Sequence, residues 1–331
     1  MAMKAMNAIA VADDLVEFLK DHPGYLARVH SVFPHAANLL VGDDELITLT
    51  NQQDITPMGL MVDCIVSFAE FLKAGEKVVL DIDHFRAARG VFAVNMRDAE
   101  VWETGSTMSQ DARSLEEVAQ IRLKLLRWLG QQPAQGLLPL LPRLTHQSIN
   151  SRPVVDNLYS RHIAADLEEF TKAINTPDWE HALALADRLI GFGMGSTPSC
   201  DDFLAAYLVV LKIAESLHPG RFVWVRQFNN AIASKAKGQT TLISANMLRH
   251  AADGKISRSH QRLILTCLFN NNGKLEHLAS QVMQHGATSG GDFLLGLICA
   301  LEWVQKAMTD ISKEGEQAWV ELKLKQPVPS I

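Results

Sequence analysis

The sequence has few of the residues that mark several common classes of protein. It has four cysteines in 331 residues, and none has the Cys-x-x-Cys spacing of zinc ribbons or redox pairs. Lysine and arginine are scattered, and the formal net charge is −6, so no basic surface for nucleic acid is indicated. The same scatter argues against a basic patch that binds membrane surfaces.

Long apolar segments are also missing. No apolar run reaches the length of a membrane span, because Lys212 and Glu302 interrupt the longest ones. Asp13, Asp14 and Glu17 lie where a secretory signal needs an apolar stretch. We therefore expect a cytoplasmic protein with reduced cysteines.

Short metal and nucleotide motifs are absent as well. The sequence contains no His-x-x-x-His pattern and no Gly-x-x-x-x-Gly-Lys loop. We therefore expect no metal site, and the sequence identifies no cofactor.

The composition that remains, 47% hydrophobic and 21% charged, is that of a globular protein large enough for two domains. Short β-forming segments separated by turn residues fill the first part, at 28–33, 38–41, 46–50, 59–62, 77–82 and 91–96. A helix is predicted over 12–20 and another over 64–73. Beyond 156 the pattern is helical, over 158–174, 178–189, 199–216, 222–236, 240–252, 257–269, 275–285 and 289–308. The sequence predicts an α+β protein, with a strand-rich barrel or sandwich followed by an all-α domain.

The predicted boundary between the two domains is a proline-rich connection. After a predicted helix over 114–129, three prolines at 133, 139 and 142 forbid a regular element. We therefore predict an N-terminal domain over 1–130, a connection over 131–157 and a helical domain over 158–331.

The most informative stretch is Gly-Phe-Gly-Met-Gly-Ser-Thr-Pro-Ser-Cys-Asp-Asp at 191–202; we call 191–198 the glycine loop. Alternating glycines let a backbone approach another group closely, and the apolar helix that follows offers its N-terminus to an anion. A simpler interpretation makes Ser199 and Asp202 a capping box. That interpretation leaves the three glycines and Thr197 unexplained.

A second segment, 288–296, repeats the Ser-x-x-Asp-Phe-Leu pattern of 199–204 and also opens an apolar helix. The two helix starts predict one shared pocket with Asp202 and Asp292 as its acidic members. The alternative is two ordinary capped helices without a shared site.

Between these segments, 240–254 places Thr240, Thr241 and Ser244 on one small, hydroxyl-bearing helix side. Such a side either packs against another helix or lines a polar pocket. Arg249 lies on its flank, within reach of a ligand anion or of a surface carboxylate.

These segments resemble the AllH-like family, whose signature is Gly-x-Gly-x-Gly-x-Thr-Pro-Ser-x-Asp-Asp. The stretches 240–254 and 286–296 are similar to its second and third characteristic blocks. The stretches 28–39 and 46–59 are also similar, so the resemblance covers about 25–305. The family's namesake is a subunit of the oxamate carbamoyltransferase of anaerobic allantoin breakdown, a part of purine catabolism.

The resemblance implies transfer of a carbamoyl group between an oxamate- or oxalurate-like compound and phosphate, in a complex with partner subunits. Such chemistry needs donors for oxyanions and an acid or base for the amine. We expect Asp202 and Asp292 to be catalytic. The expected substrate-binding residues are Gly193, Gly195, Thr197, Ser199, Asp201, Thr241, Ser244, Arg249, Thr288 and Ser289. The alternative is a non-catalytic scaffold or regulatory subunit that orders a partner's active site.

Overall fold

A computed structural model describes residues 4–52, 54–87, 90, 92–105, 111–146, 157–270 and 273–324, with side chains up to 309. The predicted α+β class is confirmed, since a strand-built barrel comes first and helices follow. In the part of the chain so described, no helix combines the length and the apolar character needed to cross a bilayer.

Eight strands form a closed barrel. Their order around the ring is β5 (Gly59–Val62), β4 (Glu45–Thr50), β3 (Ala36–Val41), β2 (Tyr25–Val32), β6 (Lys77–Leu80), β7 (His84–Ala87), β8 (Phe92–Asn95) and β1 (Lys4–Ala12). Pairing of β1 with β5 closes the ring. A ninth strand, β9 (Glu100–Trp102), runs parallel to the end of β1. Because the ring is closed, each barrel strand is hydrogen-bonded to a neighbouring strand along both of its edges.

The barrel interior is filled by alternate side chains of its strands. Leu39, Ile47 and Phe85 have no exposed surface, as expected for the inward face of a pleated strand. Helix α1 (Asp13–Asp21) adds buried Leu15 and Leu19 to the same core.

Of the strands in the described residues, sequence reasoning found β2, β3, β4, β5, β6 and β8 and missed β1, β7 and β9. Strand β1 carries alanines at 5, 8, 10 and 12, which have little strand propensity. Its conformation depends instead on neighbours at both edges. The helix predicted over 64–73 is wrong. Only a 3-10 turn forms there, Phe68–Glu70, where Ser67 accepts a hydrogen bond from the Ala69 N–H.

The helical half contains every helix predicted beyond 156. They are α4 (Leu158–Asn175), α5 (Trp179–Leu189), α6 (Ser199–Leu217), α7 (Val223–Gln239), α8 (Leu242–Ala252), α9 (Arg258–Leu268), α10 (Leu275–Met283) and α11 (Ser289–Leu324). Helices α6 and α11 form the centre of this half, and Gly296 permits their close contact. A side chain at Gly296 would collide with the Phe203 carbonyl.

The chain between the barrel and α4 is more regular than its prolines predicted. Helix α2 (Leu115–Leu129) has a Ser114–Glu117 capping box, and its Leu125 and Leu129 belong to the helical core. A 3-10 turn, Leu138–Leu140, and helix α3 (Leu141–Leu144) follow. Each carries its proline in the first turn, where the missing N–H is not needed. The predicted domain limits stay a prediction, and 147–156 lie outside the described residues.

Candidate functional site

The glycine loop joins α5 to α6 in an unusual backbone conformation. Gly191, Gly193 and Gly195 have φ values of +77°, +132° and +98°, a region that L side chains rarely adopt. A side chain at Gly191 would collide with the Gln239 carbonyl, and one at Gly193 with the Ser199 backbone. These two glycines therefore let the loop pack closely on the chain itself.

The start of α6 does not use the predicted capping box. The helix begins at Ser199, its N-cap residue is Pro198, and no side chain caps it. The prediction of Ser199 and Asp202 as a box is therefore wrong, because Pro198 occupies the cap position and moves Ser199 into the first turn.

Asp201 ties the glycine loop to α8. Its carboxylate accepts hydrogen bonds from the Gly191 N–H at 2.8 Å, the Thr240 hydroxyl at 2.5 Å and the Ser244 hydroxyl at 2.6 Å. Burial raises the pKa of Asp201, and these three bonds oppose the rise. The hydroxyl side of α8 thus packs against the loop and α6.

Asp202 faces a cleft instead. It is 4% exposed and lies beside Thr197 and Ser289, whose hydroxyl oxygens are 2.9 Å apart. Burial, and then the charge of Asp292, raise the pKa of Asp202 well above its ordinary value, although Ser289 and Thr197 hydrogen bonds lower it. Its Oδ2 has no partner among the described residues. Burial and the neighbouring acid therefore favour the protonated, uncharged form of the Asp202 side chain.

The cleft lies between the barrel and the helices and has a volume of about 340 Å³. That is at the lower end of the range for small-molecule sites, roughly 300–1,000 Å³. The barrel contributes Asn38, Thr48, Thr50, Gln52, Asp54, Thr56 and Met58, and the helical half contributes Thr197, Asp202, Asn246, His250, Lys255, Ser257, His260, His285, Ser289 and Phe293.

A histidine-aspartate cluster forms one wall of this cleft. The His285 Nε2 atom is 3.0 Å from the Asp54 Oδ2 atom, and the His260 Nδ1 atom is 4.0 Å from it. Burial favours a higher pKa for Asp54, but the hydrogen bond from His285, the two histidine charges and the Ser259 N–H lower it to about 2. Burial and the charge of His285 lower the pKa of His260 to about 3. Asp54 is therefore ionised and His260 is neutral at pH 7.

The residues on both sides of the cleft lie in regions that match known protein families. Residues 189–301 match the family described as oxamate carbamoyltransferase subunit AllH. Residues 7–101 match the AllH family N-terminal domain. The chain belongs to the AllH family. No solved structure gives a significant match to it. Each of the two matched AllH regions supplies one wall of the cleft, so the cleft lies where the family's two parts meet.

In this AllH-family chain Asp292 is not among the residues that line the cleft. Its Oδ1 accepts a hydrogen bond from the Leu137 N–H at 2.6 Å. Burial raises its pKa to about 6, opposed by bonds from Leu137, Ser199 and Thr288. The Ser199 contact links the two repeated helix starts directly. A catalytic role for Asp292 stays a prediction.

Three other residues that were predicted to bind substrate form contacts within the protein itself. Thr241 caps α8 and donates to the Ser196 carbonyl. Arg249 forms an ion pair with Glu45 of the barrel and lines a separate, more open cavity of about 570 Å³. Thr288 lies just before α11, where its carbonyl accepts from the Asp292 N–H. Their roles in substrate binding stay predictions.

Sequence reasoning missed the histidine-aspartate cluster. Asp54 comes from the loop after β4, His260 from the first turn of α9, and His285 from the turn after α10. The only local signal was that His285 precedes Gly286 and the second repeated segment. No spacing along the chain joins it to the other two, because packing of α9 against α10 brings the two histidines together and docking of the barrel adds Asp54.

Proposed function

We propose that this AllH-family chain is a subunit of a carbamoyltransferase and that its cleft binds the small anionic substrates. The substrates are an oxamate- or oxalurate-like compound and phosphate or carbamoyl phosphate. The family description supports the reaction class. The observation that carries the rest is Asp202, a buried acid of raised pKa with an unpartnered oxygen beside two hydroxyls in the cleft.

A neutral carboxylic acid suits this reaction. When a phosphate oxygen attacks the carbamoyl carbon of an oxalurate-like compound, the bond from that carbon to the leaving amide nitrogen breaks. The nitrogen needs a proton, which protonated Asp202 donates, and the products are carbamoyl phosphate and oxamate. In the reverse direction the Asp202 carboxylate takes the proton back. A raised pKa favours the form of the acid that can donate this proton.

The groups around Asp202 suit an oxyanion. The Thr197 and Ser289 hydroxyls sit at the starts of α6 and α11, where unpaired N–H groups favour negative charge. Lys255 lines the same cleft, although it also contacts Asp14 at 2.6 Å. We retain Asp202 as the catalytic acid. We place Ser199 and Asp292 nearby as the pair that holds the two helix starts together, and Asp201 as the group that holds α6 to α8.

The description as a subunit implies partner chains, which complete the enzyme. We also propose a cytoplasmic location and a role in allantoin degradation, as the family name suggests. The free state of Cys64, Cys200, Cys267 and Cys299 supports a reducing compartment.

A second candidate function, a scaffold that orders a partner's active site, is favoured by one observation. Met194, at the middle of the glycine loop, is 71% exposed. A partner chain that covered this loop would bury the Met194 side chain, which favours association. In that case the partner carries the reacting groups, and Asp202 contributes only to the fold.

The two candidates differ in what Asp202→Asn does to the assembled enzyme. The variant is compared with Asp253→Asn, an exposed acid after α8, in the complex purified with its partners. The assay follows carbamoyl phosphate formed from oxalurate and phosphate. We expect Asp202→Asn to lower the rate by at least about 100-fold, the usual contribution of a general acid, without loss of thermal stability. Full activity of Asp202→Asn would support the scaffold and contradict the catalytic proposal.

A further inference from the structure

The histidine-aspartate cluster brings together three side chains of the kinds that bind metal ions. One potential ligand atom from each of Asp54, His260 and His285 lies within 4.8 Å of the others. The three side chains come from separate segments and all line the cleft. The side chains of Asp54 and His260 are largely buried, whereas that of His285 is 33% exposed.

The Ser259 hydroxyl lies close to all three atoms. Its oxygen is 3.0 Å from Asp54 Oδ2, 3.1 Å from His260 Nδ1 and 3.2 Å from His285 Nε2. The four atoms thus form a small cage. A tetrahedral ion with bonds of about 2.0–2.1 Å separates its ligand atoms by about 3.3 Å. The Asp54 Oδ2 atom lies 3.0 Å from His285 Nε2 and 4.0 Å from His260 Nδ1, on either side of that value.

The arrangement differs from a proton relay. In a relay the two nitrogens of one imidazole contact different partners, an orienting carboxylate on one side and a reacting group on the other. Here Asp54 and Ser259 both contact the Nε2 atom of His285. Ser259 and Ser257 likewise both contact the Nδ1 atom of His260. The nitrogens and the carboxylate therefore converge on one point, as ligands around an ion do.

We propose that Asp54, His260 and His285 bind a divalent transition-metal ion, with Zn²⁺ as the preferred ion. Two imidazoles and one carboxylate form a ligand set that zinc uses in sites with an open position. Because the three residues line the cleft, a ligand in the cleft can reach the ion. This proposal replaces the expectation of no metal site, which rested on short sequence motifs that these distant residues cannot form.

The ion would also change the charge of the cleft, a consequence that rests on the proposed function. Ionised Asp54 reduces the attraction of the cleft for an anionic substrate. A divalent cation bound to that carboxylate would make the local charge positive. It would also offer a ligand position to a phosphate or carboxylate oxygen. The site would then hold substrate on the ion while Asp202 acts on the amide nitrogen.

The test measures zinc binding by the full chain without its partners, so that it does not depend on transferase activity. The chain, freed of any histidine tag and stripped with a chelator, is titrated with Zn²⁺ by calorimetry. We expect one zinc ion per chain. His285→Ala and Asp54→Asn should each weaken binding by at least about 100-fold, since even partners outside the ligand set contribute roughly 10–100-fold. The control is His277→Ala, an exposed histidine on α10, which should bind as the unaltered chain does.

Two further measurements keep the outcome decisive. Circular dichroism establishes whether each variant is folded. If either the Asp54 or the His285 variant does not fold, the other one carries the test. Cobalt(II) in place of zinc should give the intense visible absorption of a four-coordinate ion, lost in both variants. Failure of the folded chain to bind zinc would overturn the proposal. Equal zinc affinity of His285→Ala and His277→Ala would overturn it as well.

Discussion

Replacement of Asp292 by asparagine should change how the stability of the protein depends on pH. Burial raises the pKa of this carboxyl from its ordinary 3.8 to about 6. Because the folded-state pKa is higher than the unfolded one, the unfolded chain loses its proton first as the pH rises. Between about pH 4 and pH 6 the folded state therefore binds more protons, and its stability falls with increasing pH.

The size of the effect follows from the two pKa values. The difference is roughly two units, and each unit corresponds to about 1.4 kcal/mol. Because the unfolded carboxyl is already about half ionised at pH 4, Asp292 lowers the free energy of unfolding by about 2.5 kcal/mol at pH 7 relative to pH 4. An asparagine has no such dependence, and its carbonyl oxygen still accepts the hydrogen bond from the Leu137 N–H. The variant should therefore gain about 2.5 kcal/mol relative to the original chain over this interval.

Urea unfolding of both proteins at about pH 4 and about pH 7 measures this difference. The comparison uses the change between the two pH values, so a constant effect of the substitution on packing cancels. If the difference between the two proteins is the same at both pH values, Asp292 is not the raised acid that its burial implies.

Two other substitutions test how the site is held together. Gly193→Ala should destabilise the protein by more than about 3 kcal/mol, because its side chain would collide with the Ser199 backbone. The matched Gly195→Ala has open space around its side chain and should cost only about 1 kcal/mol, for its positive φ alone; equal losses in urea unfolding would contradict the close packing of the loop. Asn246→Ala should cost about 2 kcal/mol, because it leaves the buried Leu46 N–H, 3.0 Å from the asparagine oxygen, without its partner. A loss below about 0.5 kcal/mol in the same assay would show that this barrel-to-helix bond is not maintained.

The helical half was predictable because its signals are local. Apolar periodicity located α4 to α11, and the end of α8 before Gly254 follows from that glycine's positive φ of +81°. Strand β1 was not predictable, because its alanine-rich sequence becomes a strand only through pairing with β5, β8 and β9. The barrel's closure is likewise a property of distant pairings.

The part of the candidate site that has local sequence signals was predictable, and the rest was not. The repeated pattern indicated the two helix starts, and the structure brings Thr197 and Ser289 together. Sequence analysis placed both acids at the site, Asp202 as catalytic and Asp201 as substrate-binding, and it did not predict the internal bonds of Asp201. Neighbouring positions on a helix point about 100° apart, and only the packing of α8 shows that Asp201 is bonded internally while Asp202 faces the cleft. The wall that contains Asp54 depends on how the barrel docks.

The central claim is that the cleft binds a small oxyanion through Asp202, and calorimetry on the isolated chain tests it most directly. Carbamoyl phosphate, phosphate and oxamate are titrated into the folded chain, into Asp202→Leu, which has similar volume but no donor, and into Asp253→Asn. The account predicts saturable heat with at least one of these anions for the original chain and for Asp253→Asn, and its loss in Asp202→Leu. Absence of heat with all three anions, or equal affinity in Asp202→Leu, would contradict it.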